Sequence, residues 1–168
     1  MHCRCDVNRQ DMPGDLLDPD RPTITLRLRS NADLAGARHQ LFDGLTRAEL
    51  SHEDADDAVF AVCELLTNAL EAADQDTTVT AVASVSDDRQ VHGGARRIEV
   101  EIINTGEPMP GRLEVDATAG VAPRRIRGRG LVLAAKMGDV TVEGLIGGTR
   151  ARFRRVVDDR ADSPDATP

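Results

Sequence analysis

Glu64 and Asn68 stand four residues apart in the run Glu64-Leu65-Leu66-Thr67-Asn68-Ala69, inside a segment whose apolar residues recur at helical spacing. Four residues make about one helical turn, so a carboxylate and a carboxamide project from the same face. Ala58, Val62, Leu65, Leu66, Ala69 and Ala72 call for that helix to pack on a core, and burying an unpaired carboxylate is costly. A helix with Glu and Asn in its seam is therefore expected to aim them at a ligand. The alternative is the edge of an amphipathic helix, where both face water.

Three glycine-containing boxes follow. Asn104-Thr105-Gly106-Glu107-Pro108 comes directly after an alternating run; Gly128-Arg129-Gly130-Leu131 enters a short helix; Gly147-Gly148-Thr149 turns the last hairpin. At the second box, backbone N–H groups and the helix dipole favour a phosphate. Each box is weak alone, since paired glycines in a hairpin are first a turn requirement. Their order after a Glu-x-x-x-Asn helix is much more specific.

The elements that must position these groups can be read from periodicity. Residues 1–21 are rich in Asp, Pro and Gly and read as a flexible arm. Thr23 to Arg29 alternates as a half-buried strand. Asn31 is placed to cap a helix carrying Leu34, Ala37, Leu41 and Leu45, on which His39 reads as a surface residue. Ser51, with Glu53 and Asp54 behind it, starts the second helix, which runs to about Ala73. Thr77–Val85 and Arg97–Ile103 alternate and form a hairpin. A long segment from Asn104 to Arg129 shows little periodicity and reads as a functional loop. A short helix over Leu131–Met137 follows, then strands over Val140–Val142 and Thr149–Val156. Residues 158–168 read as a disordered tail, leaving one domain over 22–157. Strands grouped beside helices predict an α+β two-layer sandwich, a mostly antiparallel mixed sheet covered on one face by helices.

Composition excludes several classes. At 168 residues the chain buries a core without metals or disulfides. A net charge of -8 and the absence of Trp and Tyr argue against a general nucleic-acid binder, which needs a basic face and stacking aromatics. No apolar run is long enough to span a bilayer, and the N-terminus has no signal-peptide core, so a cytoplasmic protein is expected. Cys3, Cys5 and Cys63 form no paired framework; Cys63 reads as core, and His2, Cys3 and Cys5 as part of the arm rather than a metal site.

The four boxes together resemble the Bergerat-fold (GHKL) ATP-binding superfamily, which includes histidine-kinase catalytic domains, gyrase-type ATPases and anti-sigma-factor serine kinases. The Glu64 to Ala69 run looks like its N box, and the next three like its adenine, phosphate and final Gly-Thr boxes. The wording Glu-Leu-Leu-Thr-Asn-Ala and Gly-Arg-Gly-Leu, with one strand and one helix ahead of the N-box helix, is most similar to the anti-sigma-factor serine/threonine kinases. The resemblance spans about Thr23 to Val156 and implies ATP and Mg²⁺ as ligands. It implies that Asn68, Asn104, Gly106, Arg127, Gly128, Arg129, Gly130, Leu131 and Thr149 hold the nucleotide, with Asn68 on the metal. Glu64 would accept the proton of the attacking hydroxyl. Arg124, Arg125, Arg127 and Arg129 would supply local positive charge. Implied partners are a STAS-type anti-sigma-factor antagonist, phosphorylated on Ser or Thr, and a sigma factor, with a homodimer plausible.

Two departures bear on the nucleotide. Asn104 stands where the family has Asp, so an amide oxygen replaces a charged acceptor, and Pro108 replaces a glycine of the same box. Glu71 puts an acid where relatives carry a basic or His residue. Two other readings stay open: a nucleotide-binding module that sequesters a partner without turnover, and a stand-alone histidine-kinase-type catalytic domain. The last needs a phosphoacceptor helical hairpin from elsewhere, since only a short arm precedes Thr23.

Overall fold

The computed structural model describes residues 23–87, 95–106, 111–118 and 129–158. The predicted arm over 1–21, the tail beyond 158, and Glu107, Pro108, Arg124, Arg125, Arg127 and Gly128 lie outside the described residues.

Strand β1 (Thr23–Leu28) leads through a 3-10 turn over Asn31–Asp33 into helix α1 (Leu34–Arg47) and then α2 (His52–Ala72). Strands β2 (Val79–Asp87), β3 (Ala95–Thr105) and β4 (Arg112–Glu114) follow, then helix α3 (Arg129–Met137) and strands β5 (Asp139–Leu145) and β6 (Gly148–Asp158). The sheet runs β1-β2-β3-β6-β5-β4, so the long strands β3 and β6 are neighbours at its centre although most of the site-bearing sequence lies between them. All pairings are antiparallel, and the mixed sheet expected from the sequence is corrected to one without a parallel pair among the described residues. The expected loop from Asn104 to Arg129 contains β4, an edge strand whose three residues are all exposed. With no buried residue of its own, it shows no alternation to read.

One sheet face is apolar and meets the helices. Leu26, Leu28, Val79, Ala81, Ile98, Val100, Ile102, Val140 and Phe153 are buried there against Leu41, Leu45, Val59, Val62, Leu65 and Leu66. Burying each large side chain contributes roughly 1.5–3 kcal/mol. The opposite face carries charge in register. Glu99 faces Arg154 and Glu101 faces Arg152 across the β3–β6 pair, with ion-pair distances of 2.9 and 3.0 Å.

Local chemistry sets the helix starts. Ser51 caps α2, its hydroxyl oxygen accepting from the Asp54 N–H at 3.1 Å and its O–H donating to Asp54 Oδ2 at 2.7 Å, a cap worth about 1 kcal/mol. Ahead of α1, Ser30 holds the N-cap position of the 3-10 turn and Asp33 that of α1 itself, rather than Asn31. There Asp33 Oδ2 accepts the N–H groups of Arg29 and Ser30 at 2.8 and 3.0 Å, and these backbone donors hold its carboxyl below the usual carboxylate range.

Arg155, on β6, fixes how the helices lie on the sheet. It donates to Asp54 Oδ1 and Asp57 Oδ2 on α2, each at 2.9 Å, and to the Met137 carbonyl at the end of α3 at 3.2 Å. A cation thereby satisfies a terminal carbonyl where the helix dipole is negative. Arg96 on β3 similarly ties the α1–α2 turn, donating to the Ala48 carbonyl and to Glu49 Oε2.

Candidate nucleotide site

The second half of α2, the first turns of α3 and the ends of β3, β5 and β6 enclose a cavity of about 310 Å³. Its walls are mostly apolar: Leu65 and Ala69 from α2, Leu131 from α3, and Ile102, Val142 and Ala151 from three adjacent strands. Four polar side chains open onto it, those of Asn68, Glu71, Asn104 and Thr149. A largely apolar cavity of this volume with a few polar groups suits a small ligand.

Sheet register brings two of the polar groups together. Asn104 and Thr149 are direct partners across β3 and β6, and they continue the helix-facing rows of Ile102 and Ala151. Asn104 is only 4 % exposed, and its Nδ2 has no hydrogen-bond partner among the described residues. Asn68 Nδ2 is likewise buried without a partner. Each such amide costs about 1–3 kcal/mol unless something answers it, and both belong to residues that line the same cavity.

Gly130 explains how Glu64 and Asn68 meet the start of α3. A Cβ on Gly130 would sit 2.5 Å from Glu64 Oε2 and 3.1 Å from Asn68 Nδ2, so the absent side chain is what lets that turn rest on both. Glu64 lies beside the cavity rather than in its lining, next to the N-terminus of α3 and its outward-pointing N–H groups. Arg129 begins α3 and is exposed, and it does not line the cavity.

Gly106 and Gly148 adjoin the lining at Ala72 and Asn104. Gly106 has φ +153° and is buried, and a Cβ there would meet the Ala72 carbonyl at 2.5 Å. Its N–H donates to the Gly147 carbonyl at 3.1 Å, and the Asp74 N–H donates to the Thr105 carbonyl at 3.0 Å. Gly148 lies tight against the Asn104 carbonyl, which leaves no space for a side chain. Gly106 thus braces the site without lining it.

Of the residues singled out in the sequence, Asn68, Asn104, Leu131 and Thr149 line the cavity, and Glu64 and Gly130 adjoin it through Asn68. Glu71, at the end of α2, is exposed at the mouth, with no ion pair among the described residues. The apolar walls Ile102, Val142 and Ala151 escaped sequence reasoning because alternation marks them only as core. The signal was the small residues Ala69, Ala72 and Ala151, which leave space where larger ones would fill it. Cys63, next to Glu64, is half-buried, and burial pushes its thiol pKa up, so it is a packing residue rather than a nucleophile.

No group of three or more His, Cys, Asp or Glu converges among the described residues, so there is no protein-only metal cage. A single amide such as Asn68 suits Mg²⁺, which takes few protein ligands and is held largely by phosphate oxygens. No described helix is long and apolar enough to cross a membrane.

Comparison with known proteins bears on the family and the fold. No curated protein matches the chain. The crystal structure of the RsbU and RsbW domains of Rv1364c from Mycobacterium tuberculosis is similar in fold, with a TM-score of 0.54 at 19% sequence identity. The match covers 79% of this chain and 32% of that one, so the chain spans about a third of that protein's length. A family model, described as a histidine kinase-like ATPase domain, matches residues 29–154. The chain belongs to the histidine kinase-like ATPase domain family.

Proposed function

We propose that this chain is a cytoplasmic regulatory kinase. It binds Mg²⁺-ATP in the cavity between α2, α3 and the sheet and phosphorylates Ser or Thr of a STAS-type anti-sigma-factor antagonist, thereby setting sigma-factor availability. The observation that carries the nucleotide reading is the largely apolar cavity onto which Asn68 and Asn104 open, each with a buried Nδ2 that has no partner among the described residues. The finer choice of antagonist and sigma factor rests on the anti-sigma-kinase wording of the Glu64 and Gly128 boxes, and a homodimer belongs to the same resemblance.

When bound, Mg²⁺-ATP supplies the transferable phosphoryl group and the cation's charge. Asn68 would hold the metal through its amide oxygen. Glu64 accepts the proton of the incoming hydroxyl, worth about 10²–10⁴-fold in general-base catalysis. Gly130 and Leu131, in the first turn of α3, would offer N–H groups to phosphate oxygens, and the exposed Arg129 would add positive charge. Ile102, Val142 and Ala151 exclude water from the base, while Asn104 and Thr149 meet its polar edge. The roles of Arg127 and Gly128 rest on the sequence resemblance alone.

The test combines ATP titration, with and without Mg²⁺, and label transfer from ATP to a STAS-domain antagonist. Asn68→Ala is expected to weaken Mg²⁺-assisted binding by about 1–3 kcal/mol. Glu64→Gln is expected to bind nucleotide normally and lose transfer of acid-stable phosphate. Equal affinity in Asn68→Ala and the parent refutes the metal assignment. Nucleotide binding without any transfer by the parent leaves a sequestering module instead, and acid-labile product points to phosphohistidine chemistry.

A further inference from the structure

Asn104 is the most deeply buried polar side chain of the cavity, at 4 % exposure, and its Nδ2 has no partner. Resting on the nucleotide reading above, we infer that Asn104 makes the base pocket tolerant between 6-aminopurines and 6-oxopurines, so that guanine and hypoxanthine nucleotides are ligands alongside adenine nucleotides.

The argument is one of donor and acceptor patterns. A carboxamide presents an N–H donor and a C=O acceptor side by side, and rotation by half a turn about its last torsion exchanges them. Adenine offers a donor at N6 and an acceptor at N1. A 6-oxopurine offers the reverse, an acceptor at O6 and a donor at N1. One amide satisfies either edge with two hydrogen bonds, whereas a carboxylate only accepts and would set its charge against O6.

The surroundings permit both orientations. The neighbours that line the slot near Asn104, namely Ile102, Ala151 and Val142, carry no side-chain polar atoms to hold the amide one way. Thr149, its direct cross-strand partner, has a hydroxyl that both donates and accepts. With Nδ2 unanswered among the described residues, a ligand that brings an acceptor gains what the protein itself leaves unsatisfied.

The experiment is competition by ATP, GTP and ITP against a fluorescent ATP analogue, with Mg²⁺ present, on the parent and on Asn104→Asp. The parent is expected to bind the three within about tenfold of one another. Asn104→Asp is expected to shift the ATP-to-GTP and ATP-to-ITP affinity ratios at least tenfold toward ATP, with its melting temperature reporting that it is folded. If Asn104→Asp does not fold, Asn104→Ser, which keeps one donor and one acceptor, must retain the tolerance. ATP binding with GTP and ITP more than a hundredfold weaker in the parent overturns this inference and leaves the nucleotide reading intact. Unchanged ratios in Asn104→Asp also overturn it. Binding of none of the three overturns the nucleotide reading, and this inference with it.

Discussion

Gly130→Ala separates a glycine needed for helix geometry from one needed for space. Its backbone is helical, so alanine is allowed there and is the better helix former by up to about 1 kcal/mol. On that ground alone the variant should melt no lower than the parent, and at most about 4 °C higher. The new Cβ, however, falls 2.5 Å from Glu64 Oε2, where ordinary contact starts at 3.4 Å, so the carboxylate must withdraw by about 0.9 Å. A misplacement near 1 Å in a catalytic group costs on the order of 10²-fold, or about 2.7 kcal/mol of barrier. The expected outcome is a folded protein of unchanged or higher melting temperature whose phosphoryl transfer to the antagonist falls about a hundredfold. Gly36→Ala is the control: it lies in α1 with nothing within 4 Å of the added carbon, and should stabilise without touching transfer. Transfer by Gly130→Ala within about twofold of the parent would refute the contact or the role of Glu64.

Two further outcomes test the scaffold. Arg155→Met should lower stability to urea by roughly 1–3 kcal/mol, because it strands Asp54 and Asp57 on α2 and frees the end of α3; an unchanged midpoint would show the clamp to be incidental. Asp33, whose folded carboxyl is held below its ordinary value of 3.8 by two backbone donors, contributes stability that is fully present above that pH and is lost as the pH falls further. Asp33→Asn should therefore flatten the acid limb of a stability-against-pH curve, and a limb of unchanged steepness counts against the bond.

Much of this architecture is legible in the chain because the sheet has one dry face. Alternation finds β1, β2, β3 and β6, and the Ser51 cap with the apolar period finds α2. β4 is hidden because Arg112, Leu113 and Glu114 bury nothing. The neighbourhood of β3 and β6 is equally hidden, since their cross-strand charge pairs join residues about fifty positions apart. For the site, Glu64 and Asn68 are visible as a helix pair, but the meeting of Asn104 with Thr149 exists only in the register. The fit of Gly130 against Glu64 is tertiary, and no local pattern announces it.

Beside the cavity, three segments are sewn together by main-chain atoms, with the Asp74 N–H on the Thr105 carbonyl and the Gly106 N–H on the Gly147 carbonyl. Outside the glycines at 106, 147 and 148, where a side chain is strained or has no room, such a seam counts residues and is indifferent to what they carry. Side chains at Asp74, Thr105 and Ile146 can therefore be exchanged to suit a docking partner without detuning the pocket. A single residue inserted or deleted in any of the three segments would unhook it. Surface diversification here is open to point substitution and closed to changes of length.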